Sequence, residues 1–257
     1  MKRLSIFLVL SVSLLLLSGN AMAQKSYGLC VGLSKCGTPG ADDIAAPQND
    51  AVDLKKVLVK QGFKASAVTN QYATRSNILN RVRNIVAATR SSQDKIVLFF
   101  ATHGSENGYL LTYGGEFIKY SELIDILSHS KTKHIYCFVM ACYSGSLANA
   151  LTSDPNWGDN AVKSGITFMV SSRPNETSKS ISLPHWKNSF FGHALINGMR
   201  GQADADGNRK VTLMELFRYV YNDVTHRLDG SQEVNGETQH PQLIGPSSEH
   251  DTVIARW

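Results

Sequence analysis

Three short, nearly unbroken apolar runs constrain this chain more than any other feature: Lys95–Ala101 (KIVLFFA), Ile135–Met140 (IYCFVM) and Ile166–Ser171 (ITFMVS). A strand covered on both faces buries both sets of alternating side chains, so it reads as a continuous hydrophobic run. Each run is of strand length and too short for an ordinary helix. Segments with helical spacing separate them. Val52, Leu54, Val57 and Leu58 lead to a glycine stop at Gly62, in a helix that Asn49 or Asp50 is placed to cap. Ile78, Leu79, Val82, Ile85 and Val86 follow a second cap candidate, Ser76. Tyr120–Leu127, Ser146–Leu151, Phe190–Met199 and Thr212–Leu228 read as further helices. Tyr27–Leu33 and Lys64–Val68 read as strands, and Gln239–Ile244 as a short edge strand. Tyr109–Tyr113 and Glu116–Lys119 form a small hairpin around Gly114-Gly115, outside the main sheet. Strands alternating with helices predict an α/β layered fold with a mainly parallel sheet.

Residues 1–23 stand apart from this pattern. Lys2 and Arg3 precede the apolar run Leu4–Leu17, and Ala21-Met22-Ala23 supplies a small-x-small cleavage site. This reads as a secretory signal peptide, leaving one domain over residues 24–257 and a periplasmic or extracellular location. The run is shorter than the roughly 20 apolar residues of a spanning helix, so no membrane anchor is expected. The whole chain carries 26 Lys+Arg against 21 Asp+Glu, and loss of Lys2 and Arg3 reduces its net charge from +5 to +3. That excess is too small to argue for a nucleic acid or membrane partner. Cysteines in an exported chain raise the question of disulfides. Cys30 and Cys137 fall inside strands as core residues, and Cys36, in the next loop, pairs with Cys30 only if the Cβ directions suit.

The run Ile135–Met140 ends in Ala141-Cys142-Tyr143-Ser144-Gly145-Ser146, which delivers a thiol to the carboxyl end of a strand and then lets the chain turn. Ligands of open α/β sheets bind in the crevice beyond those ends. Two readings fit Cys142 on this evidence alone: a reactive thiol, or a small buried hydrophobe. Lys95–Ala101 ends in Thr102-His103-Gly104. If the two strands are neighbours, His103 and Cys142 form a base–nucleophile pair able to attack a carbonyl. The N–H groups of Gly104 and Cys142 are then placed to stabilise an oxyanion.

The stretches F-F-A-T-H-G-S-E-N-G and V-M-A-C-Y-S-G-S resemble the caspase-like cysteine peptidases, especially metacaspase-like, exported bacterial members. Asn49-Asp50-Ala51, Ser171-Ser172-Arg173-Pro174, Phe190–Gly201 and Gln239–Gln242 extend the resemblance over nearly all of residues 24–257. It implies a three-layer caspase-like fold, a mainly parallel sheet flanked by helices. It also implies His103 as base, Cys142 as nucleophile, and Gly104 with Cys142 as oxyanion donors. Asp50, Ser171 and Ser172 are the implied substrate-binding residues, and the partner is a protein or peptide substrate. Metacaspases bind a basic P1 side chain through groups on the first loop and two residues before the His and the Cys. Asp50 matches the first, but Ala101 and Met140 occupy the other two, so a P1 Arg or Lys rests on Asp50 alone. Helix capping is the competing role for Asp50. Some relatives are activated by chain cleavage, for which Thr152–Ser164 and Ser172–Asn188 are the candidate loops.

Asp204, Asp206, Asn208, Thr212 and Glu215 occupy positions 1, 3, 5, 9 and 12 of an EF-hand loop, with Arg209 where the sharp turn usually needs glycine. The stretch is also a polar linker in which Thr212 and Glu215 form a capping box. Calcium is the metal such a loop would take, in a structural role; the thiol chemistry itself requires no cofactor. The leading function is an exported cysteine endopeptidase. A binding domain that keeps the fold without catalysis, and a transpeptidase using the same thioester chemistry, are the alternatives.

Overall fold

The computed structural model describes residues 24–153, 155–179, 186–229 and 238–257. Residues 1–23 lie outside it, and the signal-peptide reading with them. In chain order the elements run β1 (Ser26–Gly32), α1 (Ala46–Lys60), β2 (Lys64–Thr69), α2 (Arg75–Ala88) and β3 (Lys95–Ala101). The hairpin β4 (Tyr109–Leu111) and β5 (Phe117–Lys119) follows, then α3 (Tyr120–Ser128) and β6 (His134–Met140). Next come α4 (Ser146–Ser153), α5 (Pro155–Lys163), β7 (Ile166–Val170) and α6 (Phe190–Asn197). The chain closes with β8 (Lys210–Thr212), α7 (Leu213–Asp229), β9 (Gln242–Ile244) and β10 (Val253–Arg256).

The main sheet has the order β2-β1-β3-β6-β7-β9, parallel throughout except for β9, which runs antiparallel to β7 at the edge. Strand periodicity sends alternate side chains to opposite faces. Leu98, Phe100, Cys137 and Val139 pack with Leu79 of α2 and Leu123 of α3 on one face. Val97, Phe99, Tyr136 and Phe138 pack with Leu54 of α1, Leu195 of α6 and Leu216 of α7 on the other. Two helical layers therefore sandwich the sheet, and the three apolar runs are its central strands. Among the described residues no helix is long and apolar enough to cross a membrane.

Several local expectations change. α1 begins at Ala46 with Pro47 in its first turn and no side-chain cap, so neither Asn49 nor Asp50 caps it. The fixed φ of proline suits a first turn and starts the helix early. α2 is capped by Thr74 rather than Ser76, through the Asn77 N–H at 3.4 Å. Most of the stretch read as a cleavable loop, Thr152–Ser164, is helix α5. Its mid-helix Gly158 and its polar residues hid the periodicity, and Gly165 (φ 68) ends it. No bridge joins Cys30 to Cys36, because their side chains belong to opposite faces of the sheet; all four thiols are free. A small antiparallel ribbon, β8 with β10, joins the last residues to the start of α7 and was too short to read from sequence.

Candidate active site

β3 and β6 pair in register, Ala101 against Met140, and the Thr102 N–H continues the ladder to the Met140 carbonyl at 3.1 Å. His103 and Cys142 therefore leave the sheet at the same level, each two residues beyond that last pair. The chains stay close past the sheet. A Cβ on Gly104 would sit 2.2 Å from the Cys142 carbonyl oxygen, so only glycine fits there. Among the described residues, the Gly104 and Cys142 N–H groups donate to no protein acceptor.

Nε2 of His103 lies 2.7 Å from the Asp42 carbonyl. A carbonyl only accepts, so Nε2 carries the proton and Nδ1 is left with its free lone pair. Cys142 is partly exposed, whereas Cys30, Cys36 and Cys137 are buried. Burial pushes the thiols of all three upward and keeps them protonated. The residue after Cys142, Tyr143, holds a left-handed backbone, φ 56. Bulky side chains rarely adopt it.

A cluster of serines lies under this turn. The Ala141 carbonyl accepts from Ser178 Oγ at 2.8 Å and from Ser171 and Ser172 Oγ, each at 3.3 Å. The N–H groups of Ala141 and Ser144 donate to Ser171 and Ser172 Oγ, each at 3.2 Å. Ser171 and Ser172 are 0% exposed. Both hydroxyls are held inside, where they support the turn that presents Cys142.

Asp50 is also 0% exposed. Its carboxylate accepts from Asn188 Nδ2 at 2.9 Å, Ser189 Oγ at 2.7 Å and Ser189 N–H at 3.1 Å. Gly192 leaves the room this needs, since a Cβ there would fall 2.4 Å from the carboxyl group. Asp50 thus ties α1 to the amino end of α6. Burial raises its pKa to about 7 against the opposing pull of these donors. Ala101 and Met140 are buried beside one another on the same face of the sheet.

Of the EF-hand positions, Asp204, Asp206 and Glu215 bring carboxylate oxygens within 4.8 Å of one another. Asn208 and Thr212 bond to two of these carboxylates: Asn208 Nδ2 donates to Asp206 Oδ2 at 2.7 Å, and Thr212 Oγ1 donates to Glu215 Oε2 at 2.8 Å. The Thr212 N–H donates to Glu215 Oε2 at 2.8 Å and the Glu215 N–H to Thr212 Oγ1 at 3.2 Å, which together form the capping box. Arg209 takes the positive φ, 62, that glycine usually supplies. Thr212 pairs with Val253, whose carbonyl accepts from Lys95 Nζ at the start of β3. The loop therefore lies toward the opposite end of the sheet from His103 and Cys142.

Three elements of the site carry no sequence signal: the Asp42 carbonyl, the left-handed Tyr143, and Ser178. The first two are backbone features, and Ser178 is one serine in a polar loop.

The model of the caspase domain matches residues 29–251. No curated protein matches the chain in sequence. Among solved structures, caspase-1 from Spodoptera frugiperda superposes with a TM-score of 0.63 at 17% identity, over 87% of this chain and 89% of its own. Protein GSU0716 from Geobacter sulfurreducens gives 0.61 at 14% identity, over 89% and 97%. Those identities establish the fold, and it is the caspase fold, with its mainly parallel sheet between helices. With a family match spanning most of its length, the chain belongs to the caspase domain family.

Proposed function

We propose that this chain is an exported cysteine endopeptidase whose dyad is His103 and Cys142. One observation carries the reading: a histidine and the most accessible thiol leave adjacent parallel strands at the same level, with the imidazole oriented by the Asp42 carbonyl. Nδ1 of His103 takes the thiol proton, and the thiolate attacks the scissile carbonyl. The Gly104 and Cys142 N–H groups are the donors for the oxyanion. The imidazolium returns its proton to the leaving amine as the C–N bond breaks, and a thioester remains on Cys142. Water, deprotonated by His103, then attacks the thioester, releasing the acid and restoring the thiol.

Cys142→Ala and His103→Ala are each expected to abolish peptide hydrolysis while circular dichroism and melting stay native. Hydrolysis by folded Cys142→Ala would overturn the assignment. Cleavage after Arg or Lys rests on Asp50, whose carboxylate already has Asn188 and Ser189 as partners; a substrate cation would have to take their place. A peptide library varied at P1 checks this, and a preference lost in Asp50→Asn supports it. Asp204, Asp206 and Glu215 are the residues that would hold calcium, as a brace at the start of α7 remote from the dyad. Running the library with and without calcium is expected to leave turnover unchanged.

A further inference from the structure

The turn bearing Cys142 keeps a conformation its own residues do not favour, with Tyr143 left-handed at φ 56. Something outside the turn must hold it. The Tyr143 N–H donates to the backbone carbonyl of Glu176 at 2.8 Å. Glu176 lies in the segment after β7, in a tight turn closed by its own N–H to the Arg173 carbonyl at 3.2 Å. Its carboxylate, in a residue only 9% exposed, caps that same turn by accepting the Arg173 N–H at 3.0 Å.

The remaining bonds to this carboxylate come from the far end of the sequence. The His240 N–H donates at 2.8 Å, His240 Nδ1–H at 2.5 Å and Thr238 Oγ1 at 3.3 Å. Gln239, between them, grips the same segment twice. Its Nε2 donates to the Ser171 carbonyl at 2.9 Å, and its Oε1 accepts from the Lys179 N–H at 2.7 Å. Gln242 approaches Gly145 so closely that a Cβ there would fall 2.4 Å from Gln242 Oε1. Among the described residues, Arg173 also approaches the pair, with its guanidinium 3.9 Å from Glu176 Oε1, as does the Tyr221 ring, 6.2 Å from the His240 ring. Burial works to raise the Glu176 pKa, but hydrogen bonds from Arg173 and His240 outweigh it and hold the carboxylate ionised.

We infer that Glu176 and His240 are positioning residues for Cys142, and that the segment Thr238–Gln242 is a built-in clamp on the nucleophile's turn. The chain of contacts is continuous: His240 fixes the Glu176 carboxylate, the carboxylate fixes the 173–176 turn, and the carbonyl of that turn fixes Tyr143. Neither residue touches the thiol. Their effect on peptide hydrolysis rests on the function proposed above; their effect on the thiol does not.

The test is alkylation of Cys142 by iodoacetamide in the native full chain, followed by peptide mapping and run beside peptide hydrolysis. The other three thiols are buried, which makes Cys142 the reporter. His240→Ala and Glu176→Ala are expected to slow labelling of Cys142 several-fold and to lower kcat at least ten-fold, with KM within about two-fold. His240→Asn puts an amide N–H near the place of Nδ1–H and is expected to recover most of both losses. Thr238→Val removes one outer bond and is expected to give a smaller change in the same direction, so a poorly folding alanine variant leaves the question answerable. Wild-type labelling in folded His240→Ala or Thr238→Val would overturn the inference, as would a His240→Asn protein as impaired as His240→Ala. Labelling needs no substrate. A wild-type chain that fails to cut peptides, yet shows the expected labelling pattern, would sink the peptidase reading and leave this one standing.

Discussion

Gly104 shows how much of this site depends on one missing side chain. Its Cα faces the Cys142 carbonyl, and a methyl group there would lie 2.2 Å from that oxygen. Either the loop after β3 or the turn after β6 would have to move. A displacement of about 1 Å in a reacting group can cost on the order of 10²-fold in rate. Gly104→Ala is accordingly expected to lower kcat/KM by about two orders of magnitude, measured on a peptide substrate, while far-ultraviolet circular dichroism stays native. At this scale the placement of His103 and Cys142 at neighbouring strand ends was legible, because each follows an apolar run that can only be a buried strand. What orients them was not. The Asp42 carbonyl is a backbone group, and the positive φ of Tyr143 contradicts its residue type. The packing of Ser171 and Ser172 was not legible either: nothing in two adjacent serines says that their hydroxyls lie on the underside of the Cys142 turn.

Between elements, the Asp50 carboxylate joins α1 to α6, and it sets a pH dependence. Burial raises its pKa to about 7 against the donors from Asn188 and Ser189. An acid that binds its proton more tightly when folded favours the folded state at low pH. That advantage is lost as pH climbs from the ordinary carboxylate range towards about 7. Asp50→Asn carries no such titration. Its melting temperature is therefore expected to gain on wild type between about pH 4 and pH 8, measured as a difference in parallel thermal scans. A difference that stays flat with pH would show that Asp50 remains ionised in the fold. Most strands and helices were legible at this scale from periodicity and glycine stops. The misses have local causes: Pro47 starts α1 early, a central Gly158 conceals α5, and β8 and β10 are too short to carry a pattern.

Across the whole molecule, the C-terminal residues brace the end of the sheet opposite the dyad as well. Glu249 Oε2 accepts from Tyr136 Oη at 2.6 Å and pairs with His134 Nδ1 at 2.9 Å, both at the start of β6. Burial opposes ionisation of Glu249, but these partners outweigh it and hold its pKa below the usual value. A depressed carboxylate stabilises the fold above its unfolded pKa and loses that contribution as pH falls through its folded one. Glu249→Gln is expected to cost roughly 1.5–3 kcal/mol near neutral pH, the range for a lost charged hydrogen bond. The deficit should shrink as the medium is acidified through the carboxylate range, which chemical denaturation at several pH values would read. None of this was visible in the sequence, where the tail after residue 240 offered a short edge strand and little else.

The order in which the chain is made gives the clamp at Glu176 a further consequence. Synthesis from the amino terminus produces His103 and Cys142 long before Thr238, Gln239 and His240. A nascent chain stopped short of residue 238 would hold His103 and Cys142, yet every bond that the tail makes to Glu176 and Ser171 would be missing. The thiol would then gain its final geometry only once residues 238–242 have joined the fold. On the function proposed above, a fragment released before residue 238 would carry the thiol and the imidazole without the clamp on the turn between them.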